Sequence, residues 1–165
     1  MSTKLNPADT LITEALQSAL GQVSAVYGWD VGKPQSFYPN TPVISNTLFS
    51  IDAYHGYWTK SQGPVELSIT GATVPPNTPI ALQQGWNLVG YPSRQSQSVA
   101  DALRNIDDCY DIVYAYDAFD STNSWKKFDP NAPSYANNLT TLEPGRGYWI
   151  KANTACSWVV NGGGG

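Results

Sequence analysis

Gly56-Tyr57-Trp58-Thr59-Lys60 returns as Gly147-Tyr148-Trp149-Ile150-Lys151, 91 positions further along the chain. At the same interval Asn46 aligns with Asn137, Leu48 with Leu139, Asp52 with Glu143, His55 with Arg146 and Gly71 with Gly162. Upstream, Val26-Tyr27-Gly28-Trp29-Asp30 returns as Val113-Tyr114-Ala115-Tyr116-Asp117 at an interval of 87, as Ile12, Ala15 and Leu16 do in Val99, Ala102 and Leu103. The change of interval is a four-residue insertion, placed most simply within residues 119–124. The matches are collinear across both halves, so the chain is a duplication.

Each unit then reads the same way. Leu11, Ile12, Ala15, Leu16, Ala19 and Leu20 form one helical stripe, and Val99, Ala102, Leu103 and Ile106 form another. Asn6-Pro7 in the first unit and Ser96 or Ser98 in the second offer caps. A strand follows at 25–30 or 112–117, with Tyr27 and Trp29 (Tyr114 and Tyr116) on one face. After a Pro- and Asn-rich loop come strands at 57–60 and 65–70, or 148–151 and 157–161. Between the units, Trp86 and Leu88 alternate with Asn87 and Val89 in a strand that Pro92 ends. The spacing predicts a β-rich α+β fold of two tandem pseudo-repeats, each a helix packed on a small antiparallel sheet. Residues 1–71 are the first unit, lacking its leading strand, and 72–165 the second, ending in a Gly-rich tail. One compact, pseudo-symmetric body with a continuous core is expected.

Composition narrows the function. The 165 residues carry 9 Lys plus Arg against 13 Asp plus Glu, a net charge of −4, so no basic patch for nucleic acid can be assembled. Only 13% are charged while 12% are aromatic, which suits an ordered, turn-rich, secreted or cell-surface module. No apolar run approaches the roughly 20 residues of a membrane span, and no signal peptide opens the chain.

The run GWNLVGYPS at 85–93, the strand VYAYD at 113–117, the loop WKKFDPNAP at 125–133 and LTTLEPGRGYWIK at 139–151 resemble a repeated module of bacterial extracellular proteins, notably of filamentous Chloroflexi. The likeness covers about residues 80–162 well and 11–71 more loosely, because Pro144-Gly145-Arg146 stands where the first unit has Ala53-Tyr54-His55. It implies an appendage on a large secreted or cell-surface protein, and no catalytic set.

Candidate chemistry is thin. A glycosidase needs two carboxylates across one bond, but Asp30/Asp117 and Asp52/Glu143 recur in duplicate, as turn and cap residues do; Asp129 is the remaining acid considered. A Ser-His-Asp set would have to use His55, the one histidine, whose repeat partner is Arg146. Asp117, Asp120, Asn123 and Asp129 bracket the insertion with oxygen donors that suit calcium, without the spacing or glycine of an EF-hand. A solvated loop is favoured there, and no cofactor is expected. Cys109 and Cys156 both fall in the second unit, opposite Gln22 and Val65, and read as a disulfide between neighbouring elements.

The rings stand out. Trp58 and Trp149 alternate with Tyr57 and Tyr148, so one of each pair faces away from the core. Trp29, Trp86, Trp125 and Trp158 add more large rings than the core needs. Trp125, Trp58 and Trp149 are the candidates for stacking on sugar. The expected function is a non-catalytic extracellular module that binds or presents, with polysaccharide or another surface protein as partner. A purely structural surface or filament module is the alternative, and a polysaccharide hydrolase the second. No strand precedes the first helix as residues 85–91 precede the second. The first unit is therefore expected to borrow a strand or to self-associate through an open sheet edge.

Overall fold

The structure, a computed structural model, describes residues 1–3, 5–8 and 10–160. The first half holds β1 (Leu5–Pro7), α1 (Ile12–Ala15), β2 (Val23–Asp30), β3 (Lys33–Phe37), β4 (Trp58–Ser61) and β5 (Gly71–Thr73). The second holds β6 (Pro79–Leu82), β7 (Gly85–Gly90), β8 (Gln97–Ser98), α2 (Val99–Ala102), β9 (Tyr110–Tyr116) and β10 (Trp125–Phe128). It ends with β11 (Thr141–Leu142), β12 (Gly147–Ala152) and β13 (Cys156–Val159). The principal sheets run β3-β2-β4 and β10-β9-β12-β7, and the pairs β1-β5, β11-β8 and β13-β6 flank them, all antiparallel. The tail at 162–165, with the Gly162 match, lies outside the described residues.

The expected helix-on-sheet repeats are not what the chain builds. The two α-helices have four residues each, too few to form a layer. The apolar stripes are real: Ile12, Leu16, Ala19, Val99, Leu103 and Ile106 are all buried. They reach the core through one helical turn followed by tight turns, since Gln17, Ala19 and Gln22 donate to Glu14, Leu16 and Ala19, three residues back. A short helix is barely favourable in water. Here α1 has no side-chain cap, and α2, capped by Ser98 on the Asp101 amide, runs into Asn105, Asp107 and Asp108, which favour turns. The fold is β-rich, with several small sheets.

Matched residues nevertheless do matched work. β2, β3 and β4 correspond to β9, β10 and β12, and the four extra residues fall in the β9–β10 loop. Val31 and Gly32, both at positive φ (44° and 76°), make the tight β2–β3 turn instead. Tyr57 and Tyr148 are buried, and their hydroxyls accept the amides of Asp52 (3.0 Å) and Glu143 (2.6 Å). Burial pushes both phenols up, that of Tyr148 to about 12. Each acid also meets the basic residue three further on. Asp52 binds the His55 ring at 2.8 Å and Glu143 binds Arg146 at 2.6 Å. Burial raises the Asp52 carboxyl, but the His55 bonds and two turn amides outweigh burial and hold it low.

Among the described residues two buried clusters form, one in each half, rather than one continuous core. Backbone joins them. Gly56 N–H donates to the Leu88 carbonyl (3.0 Å) and Gly90 N–H to that of Tyr54 (2.8 Å). Residues 1–3 do the same in reverse. Met1 exchanges two bonds with Tyr57 (2.6 and 2.7 Å), as Val89 faces Tyr148, and Ser2 N–H donates to Gly145 (2.9 Å). Thus 1–3 occupy part of the place that the leading strand fills in the second half.

The Cys109–Cys156 disulfide, Cα atoms 6.5 Å apart and 47 residues apart in sequence, ties the approach to β9 to β13. Its loop predicts up to about 4 kcal/mol of stabilisation. Thiol titration of denatured, unreduced protein should find no free thiol, and reduction should lower the denaturant midpoint accordingly.

A second expectation concerns pH. Burial, then the Arg146 charge, lowers the Met1 ammonium from 8.0 to about 6. Between pH 6 and 8 the unfolded chain holds a proton that the folded chain has lost, so this group adds stability as pH rises, by about 3 kcal/mol. His55, raised by its Asp52 bond, slopes the other way: its contribution is full below its unfolded value and fades through the folded one. Subtracting the urea stability of N-terminally acetylated protein from that of the free form isolates the amine. The difference should grow more favourable to the free form from pH 6 to 8.

Candidate aromatic binding site

Strand alternation places the site. Along β9, Val113 and Ala115 go into the core while Tyr114 and Tyr116 face out. Along β12, Tyr148 and Ile150 are buried and Trp149 faces out, directly opposite Tyr114. Trp125 on β10 stands opposite Tyr116, and Trp86 on β7 opposite Lys151. The first half brings Trp29 from β2 and Trp58 from β4 to the same seam.

The rings meet at distances that favour edge-to-face and offset contact. Trp29 lies 5.4 Å from Trp149 at 72°, and Trp58 lies 4.9 Å from Tyr116. Trp29 matches Tyr116 and Trp58 matches Trp149, so these are one contact made twice across the junction. Trp58 also packs on Trp125 at 5.4 Å, and Trp86 on Trp149 at 6.2 Å. Trp29 Nε1–H donates to the Trp86 carbonyl at 2.9 Å, which turns that indole along β7.

What the contacts leave open is a trough of about 440 Å³ lined by Trp29, Trp86, Tyr114, Trp125 and Trp149. Its rim rings are well exposed, Trp125 at 47% and Trp86 at 40%. The wall is aromatic carbon with no carboxylate or imidazole in it, so it can hold a flat apolar face.

The structure brings two of the three ring candidates, Trp125 and Trp149, into the trough. Trp58 braces it from behind, on Tyr116 and Trp125. Trp29, Trp86 and Tyr114 line the trough too; the sequence marks Trp29 and Trp86 as surplus rings but names none of the three for stacking. Alternation already turns Tyr114 outward in the sequence, but that Trp29 and Trp86 stand beside Trp149 follows only from strand pairing and the junction. Trp158 is core: wholly buried, stacked on Tyr91 at 12°, its Nε1–H on the Ala102 carbonyl.

The oxygen donors of the insertion do not converge. Asp117 accepts the Phe119 amide, Asp129 that of Asn131, and Asp120 those of Thr122 and Asn123 while pairing with Lys126. Asn123 meets Asp120 through its backbone. Each carboxylate closes its own turn. Among the described residues, no three His, Cys, Asp or Glu side chains gather to hold a metal. Nor is any described helix long and apolar enough to cross a membrane. Compared with known proteins, the chain matches no family model, no curated protein and no solved structure.

The junction contact should be measurable. A double-mutant cycle on Trp58→Ala and Tyr116→Ala is expected to return a coupling of about 1 kcal/mol in urea unfolding. Strict additivity would mean that the rings touch without stabilising the junction.

Proposed function

We propose that the protein is a non-catalytic binding module that takes a polysaccharide chain on the aromatic trough. One observation carries the reading: five rings drawn from both halves line an open, apolar trough instead of closing over it. The C–H faces of a pyranose are weakly positive and complement the negative faces of indole rings. Lys151 stands opposite Trp86 and pairs with Asp111 of β9 at 3.5 Å, which would offer sugar hydroxyls charged partners at that end of the sheet. The disulfide suits an oxidising compartment, which agrees with a secreted or cell-surface setting.

A structural surface module is the second reading, favoured by the two ring pairs that cross the junction. The rim separates the two. A glycan array, followed by retention on the best insoluble polysaccharide, should show binding that falls at least tenfold in Trp125→Ala and in Trp86→Ala. Both variants should melt within a few degrees of the parent. Silence across the array, or retention unchanged in both variants, would leave the structural reading standing.

A further inference from the structure

The duplication supplies an internal comparison that singles out one carboxylate. In the second half Arg146 spans two acids, Glu143 at 2.6 Å and Asp117 at 3.8 Å. The matched residues of the first half are His55, Asp52 and Asp30. His55 has the shorter reach, and its Nδ1 is engaged with Asp52 at 2.8 Å. Among the described residues the Asp30 carboxylate then makes no hydrogen bond or ion pair, not even with Lys33, its neighbour across the β2–β3 turn. With Nδ1–H donated to Asp52, the Nε2 of His55 is left for another partner as well.

Both residues border a cavity of about 300 Å³ at the junction of the halves. Trp29, Asp30, Val31 and His55 line it from the first half, and Ala81 and Asn87 from the second. Its walls are held in place. Val31 and Gly32 set the turn beside Asp30 at positive φ, and His55 bridges to Val89. The Asn87 side chain is tied to the Gln83 backbone at 2.9 and 2.8 Å. The His55 pKa is raised by the Asp52 bond first, against burial, and the Asp30 charge adds to it. Trp29 also lines the trough, so the two cavities meet at an indole pinned by its bond to the Trp86 carbonyl.

The two cavities have complementary chemistry. The trough offers stacking area, which grips a sugar face without reading its hydroxyls. The cavity beyond Trp29 has the polar groups that the trough lacks. An unpaired carboxylate accepts two hydroxyls at once, and charge-assisted bonds of this kind are the stronger ones. Nε2 of His55 bonds a hydroxyl in either protonation state, as acceptor when neutral and as donor when charged. We propose that Asp30 and His55 form the specificity subsite of the trough, taking the hydroxyls of the sugar unit that passes Trp29, and that the ligand is a neutral polysaccharide and not a uronate. The inference rests on the glycan reading of the trough and adds the substrate class to it. A uronate carboxylate would meet Asp30 in the same cavity, with Asp52 behind His55 and Lys33 outside the lining, and such like-charge encounters reject a ligand.

The test measures the calorimetric affinity of the intact chain for neutral oligosaccharides of glucose, mannose, xylose and N-acetylglucosamine, and for oligogalacturonate. A neutral oligosaccharide should bind roughly tenfold or more tighter than oligogalacturonate. Asp30→Asn should weaken that binding by roughly tenfold and narrow the gap to oligogalacturonate, since the repulsion goes with the charge. His55→Arg rebuilds the arrangement of the second half, gives Asp30 a partner, and should weaken binding too. Both residues are exposed, so both variants should melt within a few degrees of the parent. A second readout needs no substitution: saturating sugar should move the ring nitrogen resonances of His55 in the parent. Binding that falls in Trp125→Ala and Trp86→Ala but not in Asp30→Asn or His55→Arg overturns the subsite and leaves the trough reading standing. Oligogalacturonate bound as tightly as the neutral sugars overturns the substrate class. A parent that binds none of the glycans overturns the trough reading and this inference together.

Discussion

Three glycines, Gly56, Gly90 and Gly147, set the distance at which everything else is arranged. A Cβ on Gly147 would lie 3.1 Å from the Gly56 Cα and 3.0 Å from the Met1 carbonyl oxygen. One on Gly56 would lie 2.8 Å from the Val89 oxygen, and one on Gly90 2.5 Å from that of Ala53. None of these neighbours is a flexible side-chain end, so backbone would have to retreat. With the glycines in place, the peptide groups of one half come within bonding reach of the other. The Gly-Tyr-Trp run then reads as a device. Glycine admits the other half, tyrosine anchors its strand to the core through the Asp52 or Glu143 amide, and tryptophan reaches across the seam.

The trough follows from that spacing. Each principal sheet has one face on its own buried cluster and the other carrying rings. Two small sheets held together by a few backbone bonds need further contact between those outer faces, and rings supply large area at low entropic cost. The contacts Trp29–Trp149 and Trp58–Tyr116 do this at two equivalent points. The halves are not identical, however. Trp125 and Trp86 belong to the second half, and the first has Pro34 at the place of Trp125. The seam is therefore lined more heavily on one side, and the surplus rings stay in contact with solvent. Structural gluing and ligand binding use the same residue type here, but different members of the cluster.

Much of this was legible in the chain. Duplication exposed the matched strands, and the two cysteines, confined to one copy, pointed to their bridge. Alternation in 113–116 sorted Val113 and Ala115 from Tyr114 and Tyr116. The helices misled because the stripe Ile12, Ala15, Leu16, Ala19 records which residues are buried, and a single turn followed by three-residue turns buries the same set. Two cores in place of one were hidden for a related reason: apolar spacing says that a residue is inside, not inside what. The role of Gly56 and Gly147 was out of reach, since a close approach between segments 91 positions apart leaves no local pattern. Trp29 and Trp86 escaped for the same reason, as their neighbours are set by pairing and not by sequence proximity.

The differences between the copies carry as much physical content as the matches. Where β12 has Ile150 and Ala152, sealed beneath β7, β4 has Thr59 and Ser61. Where β13 has Trp158 in full burial, the first half has Leu67, half-covered. Every one of these changes lies where the second half is covered by β6 or β7, and each replaces a sealed apolar side chain with a smaller or hydroxyl-bearing one. A hydroxyl tolerates water at an edge that isoleucine would not. At the junction Gly56, Tyr57 and Trp58 repeat without alteration in Gly147, Tyr148 and Trp149, while Trp29 stands where the second half has Tyr116. The two copies thus differ in how far their edges are sealed, while the Gly-Tyr-Trp run that meets the other half is kept in both.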